Sequence, residues 1–174
     1  MLSGKRELLG AMPPFMGGGN MVSRVSFEKT TYAELPFKFE AGTSNYVGAI
    51  GMAEAIRYMQ DIGLADIAEH ERTLLMYATD KLSEGIDGLT IYGSSMDKCS
   101  IVSFNIEGLH NSDIGEIVDK MGVAVRTGRH CADPVMAHYG VPGMCRASFA
   151  FYNTLADADV LVDSVRKAVS MLRK

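Results

Sequence analysis

Two periodicities in succession constrain this chain more than any other feature. Ile67, Leu74, Leu75, Ala78 and Leu82 fall on one face of a helix, and Val102, Phe104 and Ile106 then alternate with Ser103 and Asn105 as a strand does. A helix with one apolar stripe and a strand with one apolar face each need a cover. Laying the helix on the sheet supplies both.

The same pattern extends over most of the chain. A helix is expected from about Tyr46, with Met52, Ala55, Ile56, Met59 and Ile62 on its stripe and Gly63 as its stop. A second helix carries the stripe named above and ends near Gly85. Strands are expected over 89–93 and 100–108. Asn111, Ser112 and Asp113 offer capping oxygens to a third helix with core face Ile114, Ile117, Val118 and Met121. Strands over 122–126 and 145–152 follow. In the second of these, Cys145, Ala147, Phe149 and Phe151 face one way and Arg146 and Ser148 the other. Thr154 and Asp157 open a last helix that buries Leu161, Val165, Ala168, Val169 and Leu172. The expectation is an α/β fold over 46–174: a small mixed sheet with helices mainly on one face.

Residues 1–45 read differently. They hold Pro13, Pro14, Pro36 and the run Gly17-Gly18-Gly19, and only "MVSRVSF" (21–27) alternates like a strand. They read as an extended arm with too little periodic apolar surface to form a core. The twelve methionines read as flexible core filler.

Composition narrows the function classes. Of 174 residues, 47% are hydrophobic and 22% charged, which suffices for one packed core. The net charge of −4 without a basic block argues against a nucleic-acid partner. No apolar run reaches membrane-spanning length, and the N-terminus lacks the apolar stretch of a secretory signal, so a cytoplasmic location is expected. Cys99, Cys131 and Cys145 are an odd count at uneven spacing, which argues against a disulfide framework.

The chemistry concentrates in "VRTGRHCADP" (125–134). Arg126, Arg129 and His130 lie within five residues of Cys131 on a glycine-containing loop, and positive neighbours favour the thiolate, the nucleophilic form of cysteine. Asp133 works against this. A small buried hydrophobe is the alternative for Cys131, and the expected role for Cys145. Cys99 receives no role. His130, Cys131 and His138 do not have metal-ligand spacing, so no metal is expected. Arg146, beside small strand neighbours, reads either as a carboxylate grip or as an ordinary solvent-facing charge. Thr43, Ser44 and Asn45 in "FEAGTSN" read either as phosphate donors or as helix caps.

Taken in order, "AMPPFMGGGNMV", "FEKTTY", "KFEAGTSN", "VRTGRHCADP" and "CRASFAFYNT" resemble the C-terminal part of the SufS-like cysteine desulfurases and selenocysteine lyases, pyridoxal-phosphate enzymes of the class V aminotransferase group. The resemblance spans essentially the whole chain. It implies the small C-terminal domain of a fold-type-I enzyme, with a mostly antiparallel sheet. Residues 1–45 would come from the cofactor-domain side and touch the active site and the dimer contact. By position it makes Cys131 the catalytic cysteine that becomes a persulfide, and Arg146 and Arg126 the substrate-binding arginines. Thr43 would reach the cofactor phosphate of the neighbouring subunit in a homodimer. L-cysteine or L-selenocysteine would be the substrate, alanine a product, and a separate sulfur-acceptor protein the partner, in iron–sulfur cluster assembly.

The resemblance also implies something missing. The lysine that holds the cofactor follows a histidine in that group, and no "HK" pair occurs here. Lys5 matches a position downstream of that lysine. The chain therefore reads as a fragment without the large cofactor-binding domain, inactive alone. The competing expectation is a sulfur-carrier or interaction module that uses Cys131 without any cofactor.

Overall fold

The computed structural model describes residues 2–95 and 97–173. Met1 and Met96, two of the methionines read as core filler, lie outside them. The chain divides into two compact units, residues 1–59 and 60–174.

The first unit contains helix α1 (Arg6–Ala11), strands β1 (Val22–Val25) and β2 (Thr30–Tyr32), a 3-10 turn (Phe37–Phe39) and most of helix α2 (Tyr46–Ile62). The strands form an antiparallel hairpin with a register shift between Val22 and Arg24. That bulge breaks the alternation expected over 21–27: Met21 is fully buried while Val25 and Phe27 are exposed. The two glycine-bearing motifs meet here. Gly42 N–H donates to the Gly19 carbonyl at 2.8 Å, and Asn20 Nδ2 to the Gly42 carbonyl at 3.2 Å. Among the described residues of this unit only Met21 is buried.

Helix α2 begins at Tyr46 as expected, capped by Asn45, whose Oδ1 accepts from Gly48 N–H at 3.0 Å. Gly63, at φ 100, ends it, and α3 (Leu64–Gly85) starts at once. The two helices differ in what their stripes do. Ile67, Leu74, Leu75, Ala78 and Leu82 are all buried in α3. No residue of α2 is buried, and Met52, Ile56, Met59 and Ile62 stand exposed. Periodicity gave the helix correctly in both cases; burial needs a partner, and α2 has none within the described residues.

The second unit continues with β3 (Leu89–Tyr92), β4 (Ile101–Ile106), α4 (Asn111–Lys120), β5 (Arg126–Gly128), α5 (Asp133–Tyr139), β6 (Met144–Ser148) and α6 (Leu155–Leu172). The sheet order is β3-β4-β6-β5, and every pair is antiparallel. Helices α3, α4 and α6 bury one face of it. Val102, Phe104 and Ile106 of β4 and Cys145 and Ala147 of β6 pack against Leu74, Leu82, Ile114, Val118, Leu161 and Val165. The polar alternates, Ser103, Asn105, Arg146 and Ser148, are left on the opposite face.

Several sequence expectations shift. His110, not Asn111, caps α4: its Nδ1 accepts from Ser112 N–H at 3.3 Å, while Asn111 is buried in the first turn. The strand expected from Gly122 starts only at Arg126. Gly122, at φ 84, instead closes α4, with its N–H on the Asp119 carbonyl and Val123 N–H on the Val118 carbonyl. This glycine-terminated helix end consumes the donors a strand would need. The strand expected over 145–152 ends at Ser148. Thr154 and Asp157 do form the reciprocal cap of α6. Met21, Met136 and Met144 fill core positions, whereas Met12, Met16, Met52, Met59, Met76 and Met171 are exposed, so the core-filler reading holds for few of them. Among the described residues, no helix is long and apolar enough to cross a membrane.

Candidate active site

Strands β5 and β6 set Arg126 directly opposite Arg146, with Thr127 opposite Cys145 and Gly128 opposite Met144. The core face takes Thr127 and Cys145, so both guanidinium groups stand on the face the helices leave open. Like charges directly opposite one another destabilise a strand pair. Among the described residues neither arginine forms an ion pair to offset this. The Arg146 Nε is buried and has no hydrogen-bond partner. Two adjacent guanidinium groups without a counter-charge are suited to one planar anion.

Beyond Gly128 the chain makes a tight turn, closed by Ala132 N–H on the Arg129 carbonyl at 3.0 Å. His130 and Cys131 both sit at φ 57, in the left-handed region. For side-chain-bearing residues this costs roughly 1–2 kcal/mol each, and such strain gathers at functional positions. The turn exposes the Cys131 thiol and brings Arg126 to it, with Nη2 3.6 Å from Sγ.

The charge around the thiol differs from what the sequence suggests. Arg129 turns away and pairs with Asp133 at 2.5 Å, so these two cancel one another. His130 contributes no positive charge either. Burial lowers its pKa first, and the Arg146 and Arg126 charges lower it further, outweighing an opposing influence of the Met144 backbone. Its ring nitrogens are both buried; neither makes a well-formed hydrogen bond, and the Met144 backbone can engage at most one of them. Among the described residues, Arg126 is the cation that hydrogen-bonds to the sulfur.

The other candidate residues separate cleanly. Cys145 lies in the core, its Sγ–H donating to the Asn111 carbonyl at 3.3 Å, and burial pushes the thiol up to about 12. Cys99 is exposed just before β4. Cys131, Arg126 and Arg146 are brought together in the second unit. Thr43 belongs to the first, beside a cleft lined by Phe15, Met16, Phe39, Glu40 and Tyr46. Its neighbours are already engaged: Ser44 Oγ–H donates to Glu40 and Asn45 caps α2. The Thr43 hydroxyl makes no hydrogen bond among the described residues.

The class-V aminotransferase profile matches residues 1–161. The chain belongs to the class-V aminotransferase family. A probable cysteine desulfurase from Xylella fastidiosa is 44% identical over 168 residues, 97% of this chain and 40% of that protein. A cysteine desulfurase from Yersinia pseudotuberculosis is 45% identical over 174 residues, 99% of this chain and 42% of its own length. The chain thus spans about two-fifths of the curated relatives it matches. Among solved structures, the cysteine desulfurase CsdA from Escherichia coli superposes with a TM-score of 0.90 at 39% identity, over 97% of this chain and 41% of that one. The class-V aminotransferase fold explains the antiparallel sheet and its helical cover.

His130 is the residue that sequence reading undervalued. It counted there as one more positive neighbour. Its position between an arginine and the cysteine on a glycine turn was visible, but the Arg146 charge that acts on it comes from β6, later in the chain.

Proposed function

We propose that this chain is the C-terminal part of a cysteine desulfurase that takes sulfur from L-cysteine. The observation that carries the reading is the exposed Cys131 thiol beside Arg126, next to a pair of arginines without a counter-charge. Arg146 grips the substrate carboxylate through two parallel hydrogen bonds. Cys131, with the Arg126 guanidinium beside its sulfur, attacks the substrate sulfur as the thiolate. The new S–S bond forms as the carbon–sulfur bond breaks. The electron pair stays on carbon, which takes up a proton to give alanine, and Cys131 is left as a persulfide. A sulfur-acceptor protein in the cytoplasm then removes that sulfur for iron–sulfur cluster assembly. L-selenocysteine would enter the same site.

Pyridoxal phosphate, when bound, supplies the electron sink that lets the carbon–sulfur bond break. The residues of this chain fit it in part. Thr43, with an unengaged hydroxyl, would hold a phosphate oxygen, in a homodimer that of the neighbouring subunit. Lys81 lies over the Tyr77 ring, Lys98 donates to the Gly93 carbonyl and Lys120 pairs with Glu116. No histidine–lysine pair of the kind that holds the cofactor in the resembled group occurs in this sequence. We infer that residues 1–174 alone are inactive, and that residues 1–45 serve the active site and dimer contact of the whole enzyme. Alanine release from L-cysteine by the purified chain would contradict this.

The test of the main reading uses an enzyme that contains this segment. Cys131→Ala abolishes alanine release from L-cysteine while the cofactor's absorbance remains, and selenocysteine cleavage persists in part. Undiminished cysteine activity in that variant would show that another thiol acts.

A further inference from the structure

Three buried polar atoms at the candidate site lack a well-formed hydrogen bond: Nδ1 and Nε2 of His130, of which the Met144 backbone can engage at most one, and Nε of Arg146. Each such atom has lost solvation without a full return. Among them are a donor, the Arg146 Nε–H, and an acceptor, since a neutral imidazole keeps one nitrogen unprotonated. His130 is held neutral, and the groups that bear on it are known from every side. They are Arg126 from β5 and Arg146 from β6, with the Arg129–Asp133 pair bridging the turn into α5; no carboxylate acts on the ring. A donor and an acceptor, both buried, both unpaired and in the same cluster, are two halves of a bond not yet made.

The reason it is not made lies in the two arginines. Arg126 and Arg146 face one another, and among the described residues no carboxylate pairs with either guanidinium. A carboxylate bound across both would remove their repulsion and pin the Nη groups. The Nε–H would then be directed by that grip. His130 and Cys131 are consecutive residues at φ 57, inside a turn closed by its own hydrogen bond, so the ring cannot shift without moving the thiol.

We propose that His130 is a positioning residue: when a carboxylate fills the Arg126–Arg146 site, the Arg146 Nε–H donates to a His130 ring nitrogen, and that bond fixes the turn that carries Cys131. Substrate occupancy is thereby transmitted to the nucleophile through three side chains of this one chain. The proposal rests on the carboxylate-site reading above.

The test uses residues 1–174 with L-alanine as the carboxylate probe. In nitrogen-15 NMR spectra, the Arg146 Nε–H and the His130 ring nitrogens shift together, saturating with the same midpoint. If the Arg146 signals saturate and His130 does not respond, the coupling is wrong and the carboxylate site stands. If neither responds, the carboxylate site is wrong and the proposal falls with it. A second measurement follows iodoacetamide alkylation of Cys131 in a Cys99→Ser background. His130→Asn and His130→Gly both tolerate the left-handed backbone, so both retain the turn, but only Asn keeps an acceptor. L-alanine slows alkylation several-fold in the parent chain and in His130→Asn, and leaves His130→Gly unchanged. An equal slowing in His130→Gly would overturn the proposal.

Discussion

At the scale of single residues, three cysteines in one chain have three distinct physical states. Cys99 and Cys131 are exposed, while Cys145 is buried on the core face of β6. A thiol reagent should therefore titrate two groups in the native chain and three in denaturant. Burial raises the Cys145 thiol from an ordinary 9.0 to about 12. Between those values the unfolded chain has lost its proton and the folded chain has kept it. The folded state then binds more protons, so stability falls as pH rises from about 9 towards 12. Denaturant midpoints measured over that range should decline, and Cys145→Ala should flatten the decline whatever it costs at neutral pH. A decline of unchanged slope in the variant would assign the effect elsewhere. Arg126 makes a separate prediction. Its guanidinium lies at the Cys131 sulfur, so Arg126→Gln should slow alkylation of Cys131 by anionic iodoacetate more than by neutral iodoacetamide, whereas Arg129→Gln should leave both near the parent rate.

At the scale of elements, the site depends on how closely α4 lies on β5. Gly115 is buried, and a side-chain carbon there would run into the Thr127 methyl group. Thr127 is the residue after Arg126, so anything that lifts α4 disturbs the strand that presents the guanidinium. Gly115→Ala is expected to destabilise the chain by about 1–3 kcal/mol, the usual cost of overpacking. Thr127→Ser removes the obstructing methyl and should recover most of that loss in the double variant. If the two changes add without compensation, the close approach is not the cause. Helix ends are read more easily. The reciprocal Thr154–Asp157 cap was legible because it is local, as was the Gly63 stop. The strand expected at Gly122 failed because the same residues also satisfy a glycine-terminated helix end, and that choice was decided by backbone hydrogen bonds to Asp119 and Val118.

At the scale of the whole molecule, α2 carries an apolar stripe that nothing in the described residues covers. Met52, Ile56, Met59 and Ile62 are exposed. An exposed apolar stripe of this kind marks an interface. Residues 1–174 alone should self-associate in size-exclusion chromatography. Paired substitutions Met52→Glu and Ile56→Glu should return them toward a monomer without unfolding the second unit, whose core uses neither residue. A monomeric parent chain at high concentration would remove this expectation.

Local pattern alone determined a good deal. The stripe of α3, the alternation of β4, the cap of α6 and the cysteine on a glycine turn are all set by neighbours within a few residues, where spacing and side-chain chemistry suffice. Tertiary structure decided the rest: which stripe is buried, and that Arg126 faces Arg146. Those facts depend on residues distant in sequence meeting across a sheet. No short-range preference encodes a strand partner twenty residues away, and a charge acts through what stands opposite it in space.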